Sequence, residues 1–195
     1  MPPRVAKPSG SWYDAGERFG RDFKRTVDRN TRIATLALFV AMAVALHWME
    51  SFIPRPAPFL RFGLANILTL CALYAFGGPW AMVVVIGRVV IASALTGSIF
   101  SPMFAFSLGG GLAAALTMWA MPKSLFSPIG VSVAGAAAHM SAQLAIALFL
   151  VAHISLGYIM PVFLLVSIVT GVINGYCAML IINVMKVHQR HFLSS

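Results

Sequence analysis

The sequence predicts an all-α integral membrane protein, a six-transmembrane-helix bundle preceded by an N-terminal amphipathic helix. Hydrophobic residues make up 59% of the chain and charged residues only 10%, whereas a soluble domain carries about 25% charged residues. Six apolar segments separated by glycine and proline turns follow one another along the chain. Four of the five acidic residues and eight of the fourteen lysines and arginines precede the first of these segments.

Residues 1–30 are predicted to form a cytoplasmic basic tail. Between Ser11 and Asn30, five apolar residues recur at helical spacing with charges between them: Trp12, Ala15, Phe19, Phe23 and Val27. This pattern favours an amphipathic helix lying on the membrane surface, and a solvated tail is the alternative. The net charge of +9 indicates contact with anionic lipid headgroups rather than with nucleic acid.

Residues 31–186 are predicted to form the membrane domain, and residues 187–195 a short cytoplasmic tail. The spans are expected near 33–52, 62–76, 80–95, 103–121, 127–152 and 159–185. The second span is short for a hydrocarbon core of about 30 Å, so its start is expected inside the bundle. An even number of spans puts both termini on one side, and the distribution of lysine and arginine makes that side cytoplasmic.

The corner between the first two spans is the most polar part of the membrane region. Pro54, Pro56 and Pro58 fix φ and remove amide donors, so no helix can run through it. Arg55 and Arg61 lie on the side where positive charges are not expected. A stiff, charged turn between apolar helices can hold a polar ligand, and a rigid interfacial hairpin with solvated charges is the alternative.

Arg88 is the sharpest single signal, because it lies near the middle of the third span. An arginine there costs about 2.5–3.5 kcal/mol to insert, so it should face protein or water. It is expected to bind a ligand or to pair with carbonyl groups or Glu50. With the predicted topology, the polar residues of the other spans converge with it on an outer-facing cavity. The predicted substrate-binding residues are Arg88, Arg61, Glu50, His139, Gln143 and Asn66; hydrogen bonding between helices is the alternative for the last three.

Small residues recur at four-residue spacing on the first span, at Ala37, Ala41 and Ala45. Such stripes allow another helix to approach closely in lipid. They predict a docking face for a membrane partner, with packing inside the bundle as the alternative.

No catalytic residues, metal ligands or cofactor are predicted. Glu50 is the only carboxylate side chain after Asp28, so the paired acids that Mg²⁺–diphosphate chemistry requires are missing. No nucleotide-binding loop is present, because no Lys-Ser/Thr follows the glycines at 109–111. Cys71 and Cys177 lie in predicted spans and are expected to be buried structural thiols.

Several motifs follow one another in the membrane region: E-S-F-I-P-R-P-A-P-F-L-R-F-G-L-A-N-I-L-T-L-C-A-L-Y from Glu50, Arg88, G-S-I-F-S-P-M-F-A-F-S-L-G-G-G from Gly97, G-V-S-V-A-G-A-A-A-H with Gln143, Tyr158–Pro161 and the pair Gly171 and Gly175. Together they resemble the bacterial membrane proteins called heptaprenyl diphosphate synthase component I, also known as the Gx transporter family. The resemblance covers roughly residues 33–180. Met140 departs from the small polar residue expected after the histidine, and Arg61 replaces the more usual lysine.

The resemblance implies two functions. The six short-looped helices, the outer polar residues and the alanine stripe are similar to substrate-binding components of energy-coupling-factor transporters. We therefore expect a multi-pass protein of the bacterial inner membrane that binds or transports a small anionic or amphipathic solute, with a membrane coupling subunit and ATPases as partners. The alternative is a non-catalytic membrane subunit that supports polyprenyl (heptaprenyl) diphosphate or quinone biosynthesis beside a soluble prenyltransferase. A purely structural scaffold would require Arg88 to be locked in an internal salt bridge.

Overall fold

The computed structural model of the protein describes residues 29–50, 52, 63–123, 125–151, 158 and 160–193. Over these ranges the fold is helical, without a β-strand. The helices are α1 (Arg29–Glu50), α2 (Asn66–Ala75), α3 (Gly78–Leu95), α4 (Pro102–Ala120), α5 (Pro128–Val151) and α6 (Met160–Leu193). The predicted amphipathic helix, except for its last two residues, and the proline-rich corner with Arg55 and Arg61 lie outside the described residues.

Five of the six helices are long and apolar enough to cross a membrane, namely α1 and α3 to α6. The remaining helix, α2, has ten residues and is about 15 Å long at 1.5 Å per residue. It therefore covers about half of a 30 Å hydrocarbon core. The six expected helices are present in the described residues; five are long apolar candidate spans and the second, which was expected to be short, is a half-length helix.

Glycine turns explain why α2 is short. Gly63 (φ +72°) precedes the helix and Gly77 (φ 99°) follows it, and both have φ values that other residues rarely adopt. Pro79 then occupies the first turn of α3, where its missing amide costs little. Both ends of α2 are therefore set by local sequence, and the helix begins deep inside the bundle.

The half-length helix α2 is also the most enclosed one. Eight of its ten residues are buried, and it packs against α1, α3, α4 and α6. At its C-terminal end Lys123 Nζ lies 3.4 Å from the carbonyl of Leu73, and the Arg32 guanidinium lies 4.9 Å from the Trp80 ring centroid. Cations are favourable at a helix C-terminus. This end of α2 thus faces the basic side of the bundle, and its N-terminal end points toward the middle.

The G-x-x-x-G motif of α6 brings this helix into close contact with α5. A Cβ at Gly171 would lie 2.7 Å from Cα of Val133, and a Cβ at Gly175 would lie 2.7 Å from Cα of Ile129. Small residues at this spacing let two backbones approach in lipid. Increasing residue numbers on α6 meet decreasing ones on α5, so the two helices are antiparallel.

The last helix is longer than expected. Its apolar part, Met160–Met185, matches the predicted span, but the helical backbone continues to Leu193. The extension contains the basic residues Lys186 and Arg190. Lysine and arginine are good helix formers, and positive charge is favourable near a helix C-terminus, so the change in polarity does not end the helix.

Candidate ligand-binding site

The backbone of Gly63 is the point at which three helices meet. Its amide donates a hydrogen bond to Glu50 Oε1 at the end of α1, over 2.7 Å. Its carbonyl accepts one from the backbone amide of Asn66, over 2.8 Å, and one from Asn174 Nδ2 on α6, over 3.3 Å. The turn before α2 is therefore fixed at once by α1, α2 and α6.

Arg88 joins α3 to the same turn. The residue is 2% exposed, and its Nη2 donates a 2.7 Å hydrogen bond to Asn66 Oδ1. On the facing helix α4, a Cβ at Gly111 would lie 3.2 Å from Arg88 Nη2 and 2.8 Å from Val85 Cγ1. The guanidinium thus lies between the N-terminus of α2 and α4, and the missing side chain at Gly111 leaves room for it.

His139 and Gln143 reach the site from successive turns of α5. They are 5% and 1% exposed. A Cβ at Gly110 of α4 would lie 2.9 Å from His139 Cε1 and 3.0 Å from Gln143 Cγ, and a Cβ at Gly63 would lie 3.9 Å from His139 Cδ2. His139 is therefore placed between α4 and the Gly63 turn.

Together these groups form what we call the polar cluster, to which all six helices contribute. Its members are Glu50, Gly63, Asn66, Arg88, Gly110, Gly111, His139, Gln143 and Asn174. Arg88, Gly110, Gly111 and His139 lie near the middle of their helices. Two formal charges, those of Arg88 and Glu50, accompany neutral amides and an imidazole. The first turn of α2 adds the positive end of a helix dipole.

The structure brings together five of the six predicted substrate-binding residues. Glu50 and Asn66 both bond to the Gly63 backbone, Arg88 bonds to Asn66, and His139 and Gln143 lie against Gly110. The sixth, Arg61, lies outside the described residues. These residues are far apart in sequence, and they share one site because the helices that carry them pack around the Gly63 turn.

Asn174 and Gly63 belong to the cluster but were not among the predicted substrate-binding residues. The Asn174 amide donates a hydrogen bond to the Gly63 carbonyl. Gly63 itself carried no prediction, because a backbone hydrogen-bond hub has no side-chain signature. The available signals were its position directly after the proline-rich corner and the position of Asn174 between Gly171 and Gly175.

The predicted docking residues of α1 lie on the face opposite the core. Leu36, Phe39, Ala43, His47 and Glu50 are buried, whereas Ala37, Ala41 and Ala45 are exposed. In the described part of the chain the alanine stripe is therefore available to another protein or to lipid. Its use as a docking face stays a prediction.

Gly63→Ala is expected to destabilise the fold by about 1–2 kcal/mol, because the residue adopts φ +72° and alanine does so only with strain. The added Cβ would also lie 3.0 Å from Asn66 Nδ2. Thermal unfolding in detergent measures the effect. Gly97→Ala is the matched control, since Gly97 has φ +65° and nothing within 4 Å of its Cβ position. Gly97→Ala should show the backbone strain without the disturbance of Asn66, so it should lower the melting temperature less than Gly63→Ala. An equal loss of stability in both variants would contradict the role of Gly63.

Most of the chain matches the model of a known protein family. The model of the heptaprenyl diphosphate synthase component I family matches residues 39–181, a range that contains the whole polar cluster. Neither a curated protein nor a solved structure matched the chain.

Proposed function

The chain belongs to the heptaprenyl diphosphate synthase component I family, and we propose that it is a membrane component that binds or transports a small anionic or amphipathic solute. The solute binds at the polar cluster. The proposed location is the inner membrane of a bacterium, with both termini cytoplasmic. The polar cluster then opens toward the outer side, since α2 runs from it to the basic end of the bundle.

One observation carries the proposal: a buried arginine, a carboxylate and several amides from five of the six helices meet at the turn where α2 begins. Charged and polar groups inside a membrane protein are costly and are retained mainly at functional sites. Non-helical backbone at membrane depth is tolerated where it is enclosed by protein or lines a cavity. Broken helices at mid-depth are also the usual place for the ligand site of a membrane transporter.

The character of the cluster favours a negatively charged group on the solute. The guanidinium of Arg88 is a planar donor that suits carboxylates and phosphates. The positive dipole end of α2 lies at the same place, while the N–H groups of Asn66 and Ile67 bond to the carbonyls of Gly63 and Leu64. Because Glu50 bonds to the backbone of Gly63, it serves in the proposal as the residue that holds this turn. The apolar helices around the cluster suit the apolar part of an amphipathic solute.

The proposed partner is a membrane coupling subunit that works with ATPases. The sequence contains no nucleotide-binding loop, so energy would come from another chain. The exposed face of α1 with Ala37, Ala41 and Ala45 is the proposed contact, because small residues permit close helix packing in lipid. We propose no enzymatic activity for this chain alone, since only one carboxylate side chain follows Asp28.

The family description favours a second candidate function, a non-catalytic membrane subunit that supports polyprenyl diphosphate synthesis or quinone formation. A prenyl diphosphate is itself an anionic amphiphile, so it would engage Arg88 through its diphosphate and the surrounding helices through its chain. The partner would then be a soluble prenyltransferase.

Native mass spectrometry of the full chain released from nanodiscs tests the proposal. The expected result is a retained small anion or anionic amphiphile in the wild-type protein and its loss in Arg88→Ala. An adduct that is retained unchanged in Arg88→Ala would remove Arg88 from the site. Pull-down from the native membrane separates the two candidate functions: ATPase subunits support transport, and a soluble prenyltransferase without them supports the synthase subunit.

A further inference from the structure

Asn174 presents a buried acceptor toward the Gly63 turn. The residue is 2% exposed, and no group in the described part of the chain donates a hydrogen bond to its Oδ1. Buried polar side-chain atoms normally have a partner, so an exception requires an explanation. The position of this acceptor, on the last helix and beside the hub of the polar cluster, points to a bound molecule.

The orientation of the Asn174 amide is set by its surroundings. Nδ2 lies 3.3 Å from the Gly63 carbonyl and donates to it. The flipped amide would place two acceptor oxygens against each other, which is unfavourable. Oδ1 is therefore the atom left for a ligand, and the missing partner must be a donor.

Asn174 on α6 and Arg88 on α3 reach the turn at Gly63–Asn66 from two different helices. Both are tied to Asn66, Arg88 through the Asn66 side chain and Asn174 through the Gly63 carbonyl that also accepts from the Asn66 backbone. A solute that reaches both residues needs an acidic group on one side and a hydroxyl or N–H group on the other.

We infer that Asn174 is a specificity-determining residue that accepts a hydrogen bond from the solute, so that the protein selects small acids carrying a hydroxyl or N–H donor beside the acid group. The inference rests on the proposed function, since it deepens the description of that site. The protein binds an acid without this donor more weakly, because the buried Oδ1 of Asn174 then stays unpaired in the complex.

The test uses pairs of acids that differ only in the hydroxyl: acetate and glycolate, propionate and lactate, ethylphosphonate and 1-hydroxyethylphosphonate. Their affinities are measured by calorimetry on the full chain in nanodiscs. The wild-type protein is expected to prefer the hydroxylated member of a pair by about tenfold, the effect of one unpaired buried acceptor. In Asn174→Leu this preference should disappear, so that the two acids of a pair bind with about equal affinity.

Two further variants keep the result interpretable. Asn174→Asp keeps an acceptor but replaces the Nδ2 donor to the Gly63 carbonyl with a second acceptor, so it should weaken the binding of both acids and lower the melting temperature. Ser167→Ala is the control on the same helix, because the buried Ser167 hydroxyl bonds to the Leu164 carbonyl of α6 itself; it should bind like the wild type.

The outcomes separate the inference from the proposed function. If acids bind but the hydroxyl makes no difference, or if the preference survives in Asn174→Leu, the inference is wrong, and Oδ1 is satisfied by water. If none of the acids binds at millimolar concentration, the proposed anion site itself is overturned.

Discussion

Replacing Arg88 with methionine should lower the affinity for an anionic solute by about a hundredfold or more without destabilising the bundle. Arg88 is 2% exposed, and removing a buried charged partner costs about 2–5 kcal/mol in binding, where every 1.4 kcal/mol is tenfold. An arginine at a helix centre costs about 2.5–3.5 kcal/mol to insert. Methionine recovers part of this cost, which offsets the hydrogen bond that Asn66 loses.

The affinity of each variant is measured by calorimetry and its apparent melting temperature by thermal unfolding. Arg32→Met is the matched control, because Arg32 stacks on Trp80 at the far end of α2; it should not change anion affinity. Arg88→Lys should retain part of the affinity, since it keeps the charge but loses the planar geometry. If Arg88→Met instead lowers the melting temperature and leaves binding unchanged, Arg88 is a structural anchor and the transport proposal loses its main support.

The arrangement of helices could be predicted from the sequence because lipid leaves few choices for the backbone. Long apolar segments must form helices in a hydrocarbon core, and α1 and α3 to α6 start and end within about four residues of their predicted bounds, except at the C-terminus of α6. The sequence also predicts that α2 starts inside the bundle, since residues 62–76 are too few to cross the hydrocarbon core of the membrane. The family, suspected from motifs such as the stretch from Glu50, is confirmed by the match over residues 39–181.

The inner geometry of the site could be predicted only in part. A charge such as Arg88 is conspicuous in an apolar span because its cost requires a partner. Its hydrogen bond to Asn66 depends on how far α2 is displaced along the bundle, which no local pattern specifies. The role of Gly63 depends on backbone N–H and C=O groups that every residue carries, so residue type alone could not identify it. The same applies to the second function of Asn174, which packs beside the glycine pair and also bonds to Gly63.

Gly175→Ala is expected to lower the free energy of unfolding by about 1–3 kcal/mol, as an added methyl group does in a well-packed interior. Its Cβ would lie 2.7 Å from Ile129 Cα and 2.9 Å from Ser132 Cβ. A backbone atom cannot move aside as a flexible side chain can, so α5 and α6 must separate. Gly175→Leu should extend the effect beyond about 3 kcal/mol. Unfolding monitored in mixed micelles measures both variants.

Gly130→Ala is the matched control on the other helix of the pair, because its Cβ would lie 3.7 Å from the nearest atoms, an ordinary contact. It should be neutral or slightly stabilising, since alanine is the better helix former.

Separation of α5 and α6 has a second consequence, because His139 and Gln143 lie on α5 and Asn174 on α6. The milder variant Gly175→Ala should therefore also weaken solute binding while the protein remains folded. Equal stability of Gly175→Ala and Gly130→Ala would contradict the close approach of the two helices, and unchanged binding in a destabilised Gly175→Ala would show that the polar cluster does not depend on it.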